Sequence, residues 1–146
     1  MTQVRGPVVH TTLWNLGTSL VRRDWLLASP FDERLGVHGI GDHYGVALGF
    51  PAAPGVAVLP DLLVRHHRAP ENRLAEADAY FARLLALDYF VRASGRFPRS
   101  TPLWLAWSLV GNAIAFTLRG RGALLGRTVR AFGLVLGGRN PLLTRA

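Results

Sequence analysis

Residues 71–93 read ENRLAEADAYFARLLALDYFVRA, and their spacing predicts the clearest helix of the chain. Tyr80, Leu84, Leu87 and Val91 recur at i, i+4, i+7 and i+11, and Leu74, Ala77, Phe81 and Leu85 form a neighbouring stripe. Two adjacent stripes at the helical period make a wide apolar face that has to be buried. Glu71 and Asn72 stand at the expected start, where carboxylates and Asn meet unpaired N–H groups and the positive end of the helix dipole. Gly95 is expected to close the helix.

Beyond it the composition changes. Residues 1–88 carry 8 Arg against 9 acids, whereas 89–146 carry 9 Arg and no acid. The second part begins with Arg96 and Arg99 and continues into 102–118, PLWLAWSLVGNAIAFTL, seventeen uncharged residues in a row. Arg119 to Gly122 read as a turn. Residues 123–137 are apolar again, with Arg127 and Arg130 three apart on one side of a helix. The chain therefore reads as a near-neutral part, 1–95, followed by a basic, apolar helical hairpin, 96–146. Charge asymmetry of this kind points to an anionic partner.

Seventeen apolar residues lie at the lower end of what crosses a bilayer, where about 20 are usual. Arg flanks both ends, so the charge rule for orientation is silent. The second helix is not expected to span, since each mid-helix Arg costs about 2.5–3.5 kcal/mol at the bilayer centre. A hairpin lying at headgroup depth, with Trp104 and Trp107 at the interface, satisfies more of these constraints. Spanning and burial against 71–93 are the alternatives. Nucleic acid is not expected as a partner: the Arg residues are interleaved with Leu, Ala and Gly, and no helix-turn-helix, RRM or zinc-finger signature occurs. Met1 to Pro7 has no apolar signal-peptide run, so the membrane is expected to be met from its cytoplasmic face.

Upstream, 7–14 (PVVHTTLW) reads as a strand, and Leu20 to Leu27 as a short helix capped by Thr18 or Ser19. Residues 31–45, FDERLGVHGIGDHYG, hold four Gly, three acids and two His, a loop composition with polar chemistry in it. Residues 55–67, GVAVLPDLLVRHH, give two short strands or one bent strand. A chain of 146 residues is one domain's worth and buries about 68–70% of its unfolded surface. With no Cys, disulfides and Cys-based zinc sites are excluded; with no Lys, Schiff-base chemistry and a P-loop are excluded as well.

The loop 31–45 and the His66-His67 pair concentrate the useful side chains. Asp42 follows Gly39-Ile40-Gly41, and glycines let backbone approach a ligand closely. A carboxylate so placed serves either as a general base for a hydroxyl or as the cap of a short helix that follows. Asp32 and Glu33 are adjacent and so point apart; a turn and an ion pair with Arg34 is their structural use. His66 and His67 alternate if they lie on a strand, so one of them can join Asp42 or His43 around a metal. A metallohydrolase built on His38, His43, His66 and His67 is a further reading, although no HExxH spacing and no Gly-x-Ser-x-Gly elbow occurs.

Taken in order, GTSLVRR at 17–23, FDERL at 31–35, GIGD at 39–42, LPD at 59–61 and VRHH at 64–67 resemble the acceptor-side half of a family 2 glycosyltransferase. The similarity covers about residues 12–94 and continues more loosely to 137. It implies an α+β, partial GT-A-like half, a small strand set packed on helices, followed by the basic apolar hairpin. It also implies inverting transfer from a nucleotide-sugar to a lipid-linked or cell-wall glycan. Carried over by position, Asp42 would be the catalytic base. Asp32, Glu33 and His43 would serve the acceptor loop, and His66 or His67 would stand on the metal side. A divalent Mg or Mn ion is implied as cofactor. The family's Glu before the base is Gly41 here, and its Asp and Arg two and six positions later are Tyr44 and Leu48. Its donor-binding half, with the Asp-any-Asp motif, has no counterpart in these residues, so the chain reads as one piece of a split enzyme with a separate donor-binding chain as partner, as a truncated product, or as a repurposed fragment. A non-catalytic membrane-associated remnant of the same fold is the alternative.

Overall fold

The computed structural model describes residues 9–11, 19–36, 38–50, 56–58 and 74–144. In chain order these form β1 (Val9–Thr11), α1 (Arg23–Ala28), α2 (Asp42–Gly49), β2 (Val56–Val58), α3 (Glu76–Ala93), α4 (Thr101–Leu118), α5 (Gly122–Leu136) and α6 (Pro141–Thr144), with a 3-10 turn at Glu33–Leu35. β1 and β2 pair antiparallel, with Val9 opposite Val58, His10 opposite Ala57 and Thr11 opposite Val56. That ladder is the whole of the sheet among the described residues, so the chain is mostly helical where a fuller strand set was expected. The remainder of the expected strands at 7–14 and 55–67 lies outside the described residues.

The chain divides into two compact units, one of residues 1–31 and 43–72, the other of 32–42 and 73–146. The composition break expected at 95 is not a structural one. α3 belongs with the helices that follow it, because its apolar face is what they cover.

In the first unit the short helix α1 starts three residues later than the expected Leu20. The expected cap Thr18 lies outside the described residues. Its N-cap is Arg22 in an extended conformation, and the Arg22 guanidinium donates to the Asp24 carboxylate at 3.1 and 2.8 Å. A first-turn acid beside the helix N-terminus fixes the start. Trp25 lies against Phe50 with ring centroids 5.7 Å apart, and Val46 and Phe50, four apart, are buried. That spacing explains why a helix occupies part of the expected loop. Gly49 is required by close approach: a Cβ there would sit 1.8 Å from Ser29 Oγ.

In the second unit α3, α4 and α5 pack around Leu84, Ala106, Leu109, Ala131 and Val135, with Tyr80, Phe81, Leu105 and Phe132 around them. Ala106 and Ala131 at the crossing allow close helix approach, since interaxial distance follows the side chains at the contact. α4 and α5 form the expected hairpin within a residue of the expected ends, and Pro102 in the first turn of α4 needs no N–H partner. α3 begins at Glu76, with Glu76 and Asp78 in its first turn, later than expected. These two acids reach across to the hairpin. Arg121 donates to Glu76 at 2.6 Å, and Arg127 pairs with Asp78. Arg127 and Arg130 also stand over the Phe81 ring, at 5.6 and 5.1 Å from its centroid.

The last two turns of α3 are buried on more sides than an amphipathic helix requires. Asp88 is among the buried residues, and its carboxylate accepts from Arg92 Nε at 2.8 Å and from Asn140 Nδ2 at 2.9 Å. Asn140 Nδ2 also donates to the Leu85 carbonyl at 2.7 Å, and Asn140 Oδ1 accepts from the Leu142 N–H at 3.0 Å. Arg92 reaches the Val135 carbonyl at 2.7 Å, one of the acceptors left open at the end of α5. One polar cluster thus ties α3, the end of α5 and α6 together.

Candidate functional site

The segment Asp32–Asp42 belongs to the second unit and is moored to α3. Asp32 is the N-cap of the 3-10 turn: its Oδ1 accepts from the Arg34 backbone N–H at 3.0 Å and from Arg34 Nε at 3.0 Å. Its Oδ2 accepts from the Tyr89 hydroxyl at 2.5 Å, and the Arg34 guanidinium lies 5.0 Å from the centroid of the Tyr89 ring. Burial pushes the Tyr89 hydroxyl up to about 12, with the Asp32 hydrogen bond and charge adding to the effect. Burial alone would raise the Asp32 carboxyl. The Tyr89 hydroxyl and the two Arg34 donors outweigh it and hold the group below the ordinary carboxylate value.

From this anchor the chain turns through Gly36, Gly39 and Gly41, each at positive φ, into α2. Gly39 and Gly41, at φ 52° and 98°, hold backbone that a side chain would strain. The turn presents Asp42 as the first residue of α2, with its backbone N–H donating to the Gly39 carbonyl at 3.0 Å. The Asp42 carboxylate folds back over Gly39: Oδ2 lies 3.0 Å from where a Cβ on that glycine would be. The lack of a side chain at 39 is what makes room for this half-buried carboxylate.

Among the other expected residues, Glu33 lies exposed in the 3-10 turn and does not join Asp32. His38 is exposed, and His43 packs its ring against Tyr44 with centroids 4.1 Å apart. His66 and His67 lie outside the described residues, as does the Leu59-Pro60-Asp61 stretch. Among the described residues no three His, Asp or Glu side chains converge into a metal site. They do not by themselves fit the divalent ion that the family resemblance implies.

No protein-family model, no curated protein and no solved structure matches this chain. The functional reading therefore rests on the chain's own side chains and their placement.

Two features escaped the sequence reading. Tyr89 carries the anchor of the Asp42 segment, yet falls outside both expected stripes of α3. Asp88 sits at a position where a solvated acid is the ordinary expectation. The one local signal for Asp88 is Arg92 four residues on, the spacing of a helical ion pair. A second surface is set by α4, the one helix among the described residues long and apolar enough to cross a membrane. Leu103, Trp104, Trp107, Ile114 and Leu118 lie on its outward side, with Trp104 and Trp107 69% and 70% exposed and Leu118 82%.

Proposed function

We propose that this chain is the acceptor-side part of an inverting glycosyltransferase, held at the cytoplasmic face of the cell membrane by its basic, apolar helices. The observation that carries the reading is the placement of Asp42 at the end of a glycine-built turn, its half-buried carboxylate laid over Gly39. The ordered run of motifs from Gly17 to His67 supports it. In the reaction the acceptor hydroxyl oxygen attacks the anomeric carbon of a nucleotide-sugar. The bond to the diphosphate breaks with its electron pair on the leaving group, and the hydroxyl proton passes to the Asp42 carboxylate. Asp32, Glu33 and His43 border this segment in sequence and serve the acceptor, a lipid-linked or cell-wall glycan. The donor is bound outside these residues, and no step runs through a metal.

The test mixes the chain with the product of the gene immediately upstream, a nucleotide-sugar and a lipid-linked acceptor. Transfer is expected, and Asp42→Asn is expected to lower its rate by about 10²–10⁴-fold, the usual contribution of a general base. Equal rates for the two would remove Asp42 from the reaction.

A second reading, a non-catalytic membrane-associated binding protein on the same fold remnant, is favoured by one observation. Asp32, the central acid of the FDERL motif, is already taken up by Tyr89 and Arg34. A chain that binds the glycan acceptor but transfers nothing in the reconstituted mixture would support that reading.

A further inference from the structure

The packing of α4 decides how these helices meet a membrane. Counted along the helix, Leu103, Trp104, Trp107, Gly111, Ile114 and Leu118 fall within about a quarter of its circumference. This outward stripe is apolar from end to end and exposed. The opposite side is fully engaged. Ala106 and Leu109 are buried against Leu84, Ala131 and Val135; the Asn112 side-chain amide donates to the Tyr80 hydroxyl at 3.1 Å; Phe116 meets the Tyr80 ring edge-on at 5.5 Å. α4 cannot cross a bilayer in this packing without drawing α3 and α5 in with it. α3 carries Glu76, Asp78, Arg83, Asp88 and Arg92, and α5 carries Arg127 and Arg130. The cations at the ends of α4 complete the pattern. Arg96 and Arg99 precede it and Arg119 follows it, all exposed and, among the described residues, without a carboxylate partner. Of the arginines beyond residue 88, Arg92, Arg121 and Arg127 do have one, in each case an acid of α3.

We propose that the outward stripe of α4 docks in the plane of an anionic bilayer surface, with Trp104 and Trp107 at the headgroup–acyl boundary and Arg96, Arg99 and Arg119 on lipid phosphates. Lying in that plane, the helix, about 27 Å long at 1.5 Å per residue, brings both of its cationic ends to headgroups of the same leaflet. An apolar stripe bracketed by unpaired arginines matches an anionic interface, where apolar burial and charge attraction act together. This deepens the membrane part of the reading above, and it is independent of the chemistry at Asp42.

The chain has no Cys, so single cysteines report cleanly. Ser100→Cys and Thr117→Cys place one thiol near each end of α4, both at exposed positions. The proteins are floated with phosphatidylcholine vesicles, with and without phosphatidylglycerol, and labelled from outside with a membrane-impermeant maleimide. Flotation is expected with phosphatidylglycerol and to fall with salt, and both cysteines are expected to label on bound protein. Trp107→Glu, at a solvent-exposed position that disturbs no core contact, is expected to abolish flotation. Arg99→Gln with Arg119→Gln is expected to weaken it about thirtyfold, at about 1 kcal/mol per Arg. Protection of one cysteine would show a spanning helix and overturn the in-plane arrangement. Flotation without phosphatidylglycerol to the same extent would overturn the anionic surface. No flotation, or flotation of Trp107→Glu like the parent, would overturn docking through this stripe. Asp42→Asn is expected to float like the parent, so a chain that transfers sugar without floating loses only the docking, and one that floats without transferring loses only the assignment of Asp42.

Discussion

Tyr89 and Asp32 are 57 residues apart in sequence and 2.5 Å apart in space, and their contact fixes the segment that delivers Asp42. The pairing with Arg34 and the capping of the turn were legible, because both act over two residues. The Tyr89 partner was not, because nothing local marks which aromatic of a buried helix face holds a distant carboxylate. Tyr89→Phe keeps the ring and removes the donor, leaving a largely buried charge with less support. The loss is expected to be about 1.5–3 kcal/mol, the range for a hydrogen bond to a charged group, read by urea unfolding at neutral pH. The pH dependence follows from the two shifts. The Asp32 pKa is depressed in the fold, so its contribution is present above the ordinary value near 3.9 and is lost as pH falls through the folded value. The Tyr89 pKa is raised to about 12, so its contribution is complete below the ordinary value near 10 and fades as pH rises from there to about 12. In Tyr89→Phe the alkaline loss should vanish and the acid loss should shrink. A variant with the parent's profile at both ends would show that the contact contributes nothing.

At the scale of elements, periodicity located α3, and long apolar runs separated by the Arg-Gly turn located α4 and α5. It failed at the ends that side chains fix. α1 starts where Arg22 meets Asp24, and α3 starts where Glu76 and Asp78 face its N-terminus, with Ala75 as an N-cap that offers no side-chain acceptor. It also missed α6, four residues held by Asn140 rather than by any apolar pattern. The cluster around Asp88 is where this matters energetically. Asp88→Ala removes the carboxylate shared by the exposed Arg92 and the buried Asn140, and leaves them with the Val135 and Leu85 carbonyls alone. The charge left behind is solvated, so the expected cost is about 1–3 kcal/mol from the hydrogen bonds left unmade. Asn140→Ala removes the two donated bonds and the acceptor for Leu142 N–H, and about 1–3 kcal/mol is expected from the bonds left unmade. Hydrogen exchange separates the two. Asn140→Ala should unprotect α6 selectively, whereas Asp88→Ala should lower protection through α3 and the end of α5 as well. Identical exchange patterns would mean that the cluster does not couple these helices.

For the whole molecule, composition placed a boundary at 95 and packing places none there. Two acids of α3, Glu76 and Asp78, balance part of the basic tail, and a division at 95 separates them from Arg121 and Arg127, the arginines they pair with. The glycine turn before Asp42 was legible in outline, since its residue types suit few other conformations. The fold around it was not, because it depends on contacts between residues far apart in the chain. What remains among the described residues after the pairs are made is an excess of cations, which attracts an anion, beside an exposed apolar stripe, which favours a non-aqueous phase. If a bilayer supplies both, it binds the folded chain and not the unfolded one through this geometry, and mass action then raises stability. At free lipid about a hundredfold above half-saturation the gain is about 2.7 kcal/mol. Thermal unfolding with phosphatidylglycerol-containing vesicles should shift upward accordingly, and phosphatidylcholine alone should leave the midpoint in place. Trp107→Glu should lose the shift, and Asp42→Asn should keep it. A shift of equal size in Trp107→Glu would place the stabilising contact elsewhere on the molecule. Abolition by moderate salt with the outward stripe intact would assign the binding to charge without burial, because screening acts on the arginines and not on the apolar stripe.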